Sequence, residues 1–301
     1  MKNTIVTIFG GTGFIGSQIV RVLAGEGYIL RLAEQQPLKA NRLKFNGMVG
    51  QIQPYACDYS DKAIQDVIKG STFVVNCTGI LAEKARRTFM HTHCEIPEMI
   101  AKACAKENVK QFVHISALGI DSNQSKYAQS KLAGEKAIQK AFPHSTILRP
   151  SIVFGAEDSF FNKFASMAQI LPSLPLIGGG KTQFQPVYVG DVADAVSKAL
   201  SRNIVGVYEL GGPDVMTFKS LLEKMISYTS QNVRLVILPF WKARIIAAAM
   251  RLLPNPPLTQ DQITSLKTDN VAGKNAKTLT DLHVRPTSMD AILPHYLERY
   301  K

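Results

Sequence analysis

Thr4-Ile5-Val6-Thr7-Ile8-Phe9 runs directly into Gly10-Gly11-Thr12-Gly13-Phe14-Ile15-Gly16, and this opening stretch carries the architecture of the chain. Its first half is short, apolar and rich in β-branched residues, which predicts a buried strand. Phe14, Ile15, Ile19, Val20, Val22 and Leu23 then recur at helical spacing. A second apolar run, Tyr28 to Ala33, ends on Glu34. Strand, glycine turn, helix and strand within about 30 residues is the pattern of a βαβ unit that holds a dinucleotide.

Each glycine has a distinct predicted task. Gly10 leaves the strand in a conformation that a Cβ would oppose. Gly13 lets the backbone approach a pyrophosphate, and Gly16 lets the helix pack closely on the strand. The amides around Gly13 to Ser17 should face the phosphates, where the helix dipole favours negative charge. Gly10, Thr12, Gly13, Phe14, Ile15 and Gly16 are therefore the predicted diphosphate-side residues.

Composition sets the outer limits. At 301 residues the chain can form one large domain or two modest ones. No apolar run reaches the roughly 18 to 20 residues of a membrane-spanning helix. The first strand begins within a few residues of the start, so no signal or transit peptide is expected. Cys57, Cys77, Cys94 and Cys104 lack paired spacing and fit a reducing compartment. The net charge is +12, but the basic residues are scattered and do not interleave with aromatics. Nucleic acid is therefore an unfavoured partner, while an anionic cofactor, an acidic protein or an anionic membrane surface stays open.

Further strands are predicted at Gln51–Tyr55, Ser71–Asn76, Lys110–Ser116 and Ser145–Pro150, the last continuing through Gly155. Ligands of open parallel sheets lie at the carboxyl ends of strands. Asn76, Thr78 and Gly79 should therefore wall the adenosine half of the site. Asp58, just past the third strand, is either a contact to the nucleotide or a turn cap. His91, His93 and Cys94 invite a metal, but neighbours two apart on a helix diverge and no second ligand cluster exists, so no metal is expected. Gly178-Gly179-Gly180-Lys181-Thr182 imitates the tail of a P-loop, but Pro175 and a following strand exclude one.

Tyr127 and Lys131 lie four apart on a predicted helix, Lys126 to Phe142, and so share one face. A phenol of pKa near 10 is a poor acid–base at neutral pH, and a neighbouring ammonium is expected to lower it. Beyond Gly155 the pattern changes. Asp191 is predicted to cap a helix, Thr217 another, and Phe240 to Leu253 forms a strongly apolar helix carrying Lys242, Arg244 and Arg251. That helix either folds over the cleft or lies on a bilayer or hydrophobic partner. The expected fold is α/β: a doubly wound, Rossmann-type parallel sheet with a small, mainly helical C-terminal substrate domain. Residues 1–155 plus 184–212 make the dinucleotide-binding domain, and 156–183 plus 213–301 the smaller one.

The glycine spacing and the Tyr127-x-x-x-Lys131 pair resemble the extended and atypical short-chain dehydrogenase/reductase superfamily. The resemblance implies that Glu34 holds the adenosine ribose hydroxyls, which favours NAD. Gln35 and Gln36 stand where NADP-using members carry arginine, although Arg31, Lys39 and Arg42 are close enough in sequence to keep NADP open. It implies contact of Asp58 with adenine, of Tyr127 and Lys131 with the nicotinamide ribose, and of Pro150, Ile152 and Val153 with the carboxamide. It also implies a catalytic hydroxyl after the fifth strand. Depending on register that position is Ser116 or Ala117, and only Ser116 would complete a catalytic set with Tyr127 and Lys131.

Pro256 to Gln262, Leu266 to Val271 and Leu293 to Leu297 resemble the branch that contains the dehydrogenase-like accessory subunit of respiratory complex I, in its bacterial form. That branch implies a structural dinucleotide and attachment to complex I subunits at the membrane surface, either cytoplasmic and peripheral or on the matrix side in a mitochondrion. The alternative is an active NAD(P)-dependent oxidoreductase or epimerase acting on a small carbonyl or sugar-like substrate.

Overall fold

The computed structural model describes residues 4–84, 87–250, 256 and 258–301. The first half contains β1 (Ile5–Phe9), α1 (Phe14–Gly25), β2 (Ile29–Glu34), β3 (Ile52–Ala56), α2 (Asp61–Ile68) and β4 (Phe73–Asn76). After them come α3 (Ile96–Lys106), β5 (Gln111–Ile115), α4 (Lys126–Ala141), β6 (Thr146–Pro150) and β7 (Val153–Phe154). Next are α5 (Phe161–Ile170), β8 (Ser173–Ile177), β9 (Gln183–Phe184), β10 (Val187–Tyr188), α6 (Val189–Ser201) and β11 (Gly206–Leu210). β12 (Met216–Thr217), α7 (Phe218–Thr229), β13 (Arg234–Leu238), α8 (Phe240–Met250), α9 (Gln260–Ser265) and α10 (Met289–Leu297) complete the order.

Seven strands form one sheet in the order β11-β6-β5-β4-β1-β2-β3, with every pairing parallel. Neighbouring residues of a strand point to opposite faces. Ile8, Leu32, Val75 and Val113 pack with Ile19, Val20, Leu23, Val192 and Val196 of α1 and α6. Phe9, Ala33, Val74 and Phe112 pack with Ile64, Ile100, Cys104 and Ile138 of α2, α3 and α4. Both faces are covered, so the strands read as continuous apolar runs. The order reverses between β1 and β4, which opens a crevice at their carboxyl ends.

A separate apolar cluster unites α5, α7 and α10 through Phe161, Phe218, Leu222, Met225, Leu293 and Leu297. Two short sheets, β8 with β13 and β9 with β12, belong to this side. The glycines at 178, 179 and 180 all have positive φ, and a Cβ on Gly178 would lie 2.3 Å from the Phe240 ring. Gly178 thus lets the turn pack closely on Phe240.

Three local expectations are corrected. β6 does not continue to Gly155: the chain bends at Ser151, and β7 pairs with β10 outside the main sheet. Asp191 is not a cap, because Tyr188 occupies that position of α6. Its buried carboxylate instead accepts from Thr287 N and Oγ1, each at 2.7 Å. The apolar helix after Phe240 is described to Met250, and positions 251–253 of the expectation lie outside the described residues.

His91–Glu95 is a π turn leading into α3, one turn ahead of Pro97. Proline has no N–H, so the His93 carbonyl cannot take its ordinary i+4 donor. That carbonyl faces Gly134 of α4, where a Cβ would come within 1.8 Å of it. Gly134→Ala should therefore force the two helices apart and cost about 3 kcal/mol. A urea titration should show a lower midpoint with an unchanged slope.

Candidate functional site

The cradle at the end of β1 is built by close approach. Gly10 has φ +74°, and a Cβ there would meet the Cys77 carbonyl at 3.0 Å. A Cβ on Gly16 would stand 2.2 Å from the Gly10 oxygen. Ser17 N makes the first helical bond, to Gly13 O at 2.8 Å, and no side chain caps α1. The amides of Phe14, Ile15 and Gly16 consequently have no partner among the described residues, which suits an anion. The Thr12 amide is engaged: it donates to Glu34 Oε1 at 2.9 Å.

Glu34 is 8% exposed, and burial pushes its carboxyl up while the Thr12 bond opposes the shift. Its carboxylate is thus tied to the Thr12 end of the glycine turn. Arg42 Nη2 donates to Thr12 O at 2.8 Å, and the Lys39 charge reaches Glu34. Arg31 is engaged elsewhere: it donates to Lys69 O at 2.6 Å and lies over the Tyr55 ring. Asp58 is exposed and accepts from Ser60 N at 2.9 Å, which holds its carboxyl low. The turn-cap alternative therefore describes what Asp58 does in this structure.

At the end of β4, Asn76 is fully buried and shapes the turn. Its Oδ1 accepts from Thr78 N at 3.0 Å and from Thr78 Oγ1 at 2.7 Å, while Nδ2 meets His114 Nδ1 at 3.1 Å. Asn76 thus acts through Thr78 and Gly79 in forming the wall. β7 reaches the same crevice, because a Cβ on Gly155 would lie 3.3 Å from the Phe14 ring. The Pro150 carbonyl is taken by Leu118 N at 2.9 Å and that of Ile152 by Val187 N at 2.9 Å. Val153 pairs with Val187 in the short β7–β10 sheet.

Tyr127 and Lys131 do share a face of α4, which Ser125 caps through Ala128 N at 3.1 Å. Lys131 is buried, donates to Ile115 O at 3.0 Å, and is pushed down to about 8 by burial. Tyr127 does not respond as the spacing predicts. Burial and the Asp261 carboxylate push its phenol up to about 12. The Lys131 ammonium donates to a backbone carbonyl, and burial with the Asp261 charge sets the direction of the Tyr127 shift. Ser116 Oγ is buried with no hydrogen-bond partner, so it is the hydroxyl available after β5. Arg149 Nη2 to Glu135 Oε2, at 2.6 Å, ties β6 to α4 beneath this group.

His93 belongs to the same site, although the sequence offered it only as a metal ligand. Its Nε2 accepts from Ile80 N at 3.1 Å, so the proton sits on Nδ1 and is donated to Ser130 Oγ at 2.9 Å. Burial holds it down to about 3, a neutral imidazole packed edge-on to Tyr127 with ring centres 5.1 Å apart. A Cβ on Gly79 would lie 3.7 Å from Lys131 Nζ and 3.8 Å from His93 Nε2. No group of metal-binding residues is present among the described residues. A cavity of about 620 Å³ lies elsewhere, between Leu176, Lys219, Ile226 and Leu235, and none of the predicted site residues borders it.

Residues 6–211 match the model of the NAD dependent epimerase/dehydratase family. The chain belongs to that family. Over its full length it is 35% identical to NADH dehydrogenase [ubiquinone] 1 alpha subcomplex subunit 9, mitochondrial, of Arabidopsis thaliana, covering 79% of that protein. It is 30% identical to the subunit of the same name from Mus musculus, over 100% of this chain and 81% of the relative. Among solved structures, the UDP-glucose 4-epimerase of Thermus thermophilus in complex with NAD superposes with a TM-score of 0.72. It is 17% identical and the match covers 99% of both chains.

The family's NAD(P) fits the residues present. A cradle that side chains would fill is kept clear by Gly10 and Gly16, and unpartnered amides face it. Phe14, Ile15 and Gly16 would hold the diphosphate, Glu34 the adenosine ribose, and Lys131 the nicotinamide ribose; when bound, the group supplies or accepts hydride. Arg87, which donates to Gln35, was missed in the sequence, as were His114 and Asp261, because their partners lie far along the chain. Lysine titration followed by 13Cε NMR should resolve a midpoint of about 8 that disappears in Lys131→Met. The sign follows from burial: the folded pKa lies below the unfolded one, so Lys131 opposes folding below about pH 8, and its contribution improves as pH rises from there.

Proposed function

We propose that this chain is a dehydrogenase-like accessory subunit of NADH:ubiquinone oxidoreductase, or its free counterpart, that holds NAD as a structural cofactor. The observation that carries this reading is the contrast between the two halves of the site. A complete diphosphate cradle stands beside a tyrosine that nothing activates. End-to-end similarity to the subunit 9 relatives supports the same assignment. On this reading residues 1–155 plus 184–212 bind the dinucleotide and the remainder serves attachment.

Glu34 supports NAD over NADP, since a buried carboxylate repels a 2′-phosphate. Protein purified without added nucleotide should retain bound NAD through desalting, read by absorbance and enzymatic assay of the released nucleotide. Glu34→Gln keeps an acceptor for Thr12 N but loses the charge, and should weaken NAD about tenfold by calorimetry. Tighter binding of NADP than NAD by the unaltered protein would contradict the assignment.

α8 supports placement at a membrane. Ala243 and Ala247 face inward, while Trp241 and Ile245 are 61% and 63% exposed with Lys242 and Arg244 beside them. No described helix is long and apolar enough to cross a membrane. An apolar face flanked by cations suits the interface of a bilayer with anionic headgroups, peripheral on the cytoplasmic side or on the matrix side of a mitochondrial inner membrane. Co-sedimentation should occur with vesicles containing anionic lipid and not with neutral ones. The double substitution W241A/I245A should reduce it severalfold without changing NAD retention.

A second reading, an active oxidoreductase or epimerase, is favoured by one observation, the unpartnered Ser116 hydroxyl next in sequence to Ile115, whose carbonyl accepts from Lys131. Steady reduction of small carbonyls that Tyr127→Phe abolishes would support it and count against the accessory role.

A further inference from the structure

The loop from β5 to α4 carries Ser116 at one end and Tyr127 at the other, and the C-terminal segment grips it along its length. Asp261 accepts from Lys126 N at 2.7 Å and from Tyr127 N at 3.2 Å. Asn123 Nδ2 donates to Ser265 O at 3.3 Å, and Asn270 Nδ2 to Leu118 O at 2.7 Å. Gly119, with φ +75°, accommodates the Asp269 carbonyl, which a Cβ would approach at 3.2 Å.

α4 does not require this grip in order to begin. Ser125 already caps it through Ala128 N. Asp261 takes the two preceding amides from 134 and 135 residues away, and a carboxylate there is favoured by the helix dipole. Asp261 is itself fixed, because it lies in the first turn of α9, whose start is closed by the Thr259–Gln262 capping box. Ile263 of α9 packs with Ala243 and Ala247, the inward face of α8. One continuous set of contacts thus runs from α8 through α9 to the helix bearing Tyr127 and Lys131.

We infer that Asp261 is a positioning residue that ties the α8–α9 unit to α4, so that the nicotinamide half of the site is set by the C-terminal unit and the diphosphate half is not. The inference rests on the proposed dinucleotide reading. Lys131 and Tyr127 ride on α4, whereas the Gly10–Gly16 cradle and Glu34 belong to elements that Asp261 does not touch. Losing the tie should be felt by a ligand that spans both halves and not by one confined to the first.

The test is calorimetry of the full chain with NAD and, separately, with ADP. Asp261→Ala should weaken NAD about fivefold, the scale of a lost helix cap, and leave ADP within about twofold. Asp261→Asn keeps an acceptor for one amide and should recover part of the NAD affinity. It also removes a charge, so the Tyr127 midpoint in 13Cζ-tyrosine NMR should fall from about 12; the positioning role is read from the loss of NAD affinity with ADP affinity kept. If Asp261→Ala does not fold by circular dichroism, Asp261→Asn carries both measurements. A folded variant with unaltered NAD affinity, or one that loses NAD and ADP alike, overturns the inference alone. Unaltered protein that binds neither NAD nor ADP overturns the dinucleotide reading, and this inference with it.

Discussion

The first turn of α1 can lie against the end of β1 only because position 16 carries no side chain. With a Cβ placed 2.2 Å from the Gly10 oxygen, helix and strand would have to separate. Separation would carry away the unpartnered amides of Phe14, Ile15 and Gly16, since these are fixed by the helix and not by a flexible loop. The same closeness holds Gly10 against the Cys77–Thr78 turn, so β1 and β4 meet tightly at the reversal of strand order. The crevice is therefore a consequence of backbone packing, and the side chains lining it are added to a shape already set.

That origin explains why the two halves of the site differ in kind. On the proposed reading the diphosphate half is made of main-chain groups within one βαβ unit, and Glu34 joins it through a bond from Thr12. The nicotinamide half is assembled from β4, β5, α4, the π turn before α3 and the C-terminal segment. Its chemistry depends on where each side chain is drawn. Lys131 is drawn to Ile115 O, His93 to Ile80 and Ser130, and Asn76 to Thr78. Each engagement satisfies a buried polar group that would otherwise be costly.

The opening unit was legible because glycine spacing, helical period and a terminal acid all agree within about 30 residues. The doubly wound parallel sheet followed from the same pattern repeated. Tyr127 and Lys131 were placed correctly on one face for the simple reason that the helix period brings residues four apart together. Their electrostatics were not legible, because burial by the assembled fold sets both first, and the Asp261 carboxylate that adds to the Tyr127 shift lies 134 residues further on. Asp191 shows the same limit. A carboxylate early in a helix looks like a cap, but Thr287, 96 residues on, claims both its oxygens. The bend at Ser151 was hidden too, since the apolar run continues although the sheet does not.

Lys131 links stability to ligand in a way the fold makes unavoidable. Its ammonium is buried beside a backbone carbonyl, and no carboxylate forms an ion pair with it among the described residues. Burial outweighs the attraction of the nearby Glu135 carboxylate, which is why the Lys131 proton is held less firmly than usual. On the proposed reading, ribose hydroxyls that reach this ammonium add hydrogen-bond acceptors to it, and the gain appears as stability of the folded state. On the proposed reading the cofactor therefore needs no turnover to be useful to the molecule. It adds acceptors to a buried ammonium that donates to the Ile115 carbonyl, and a protein built in this way keeps its tyrosine and lysine whether or not they transfer a proton.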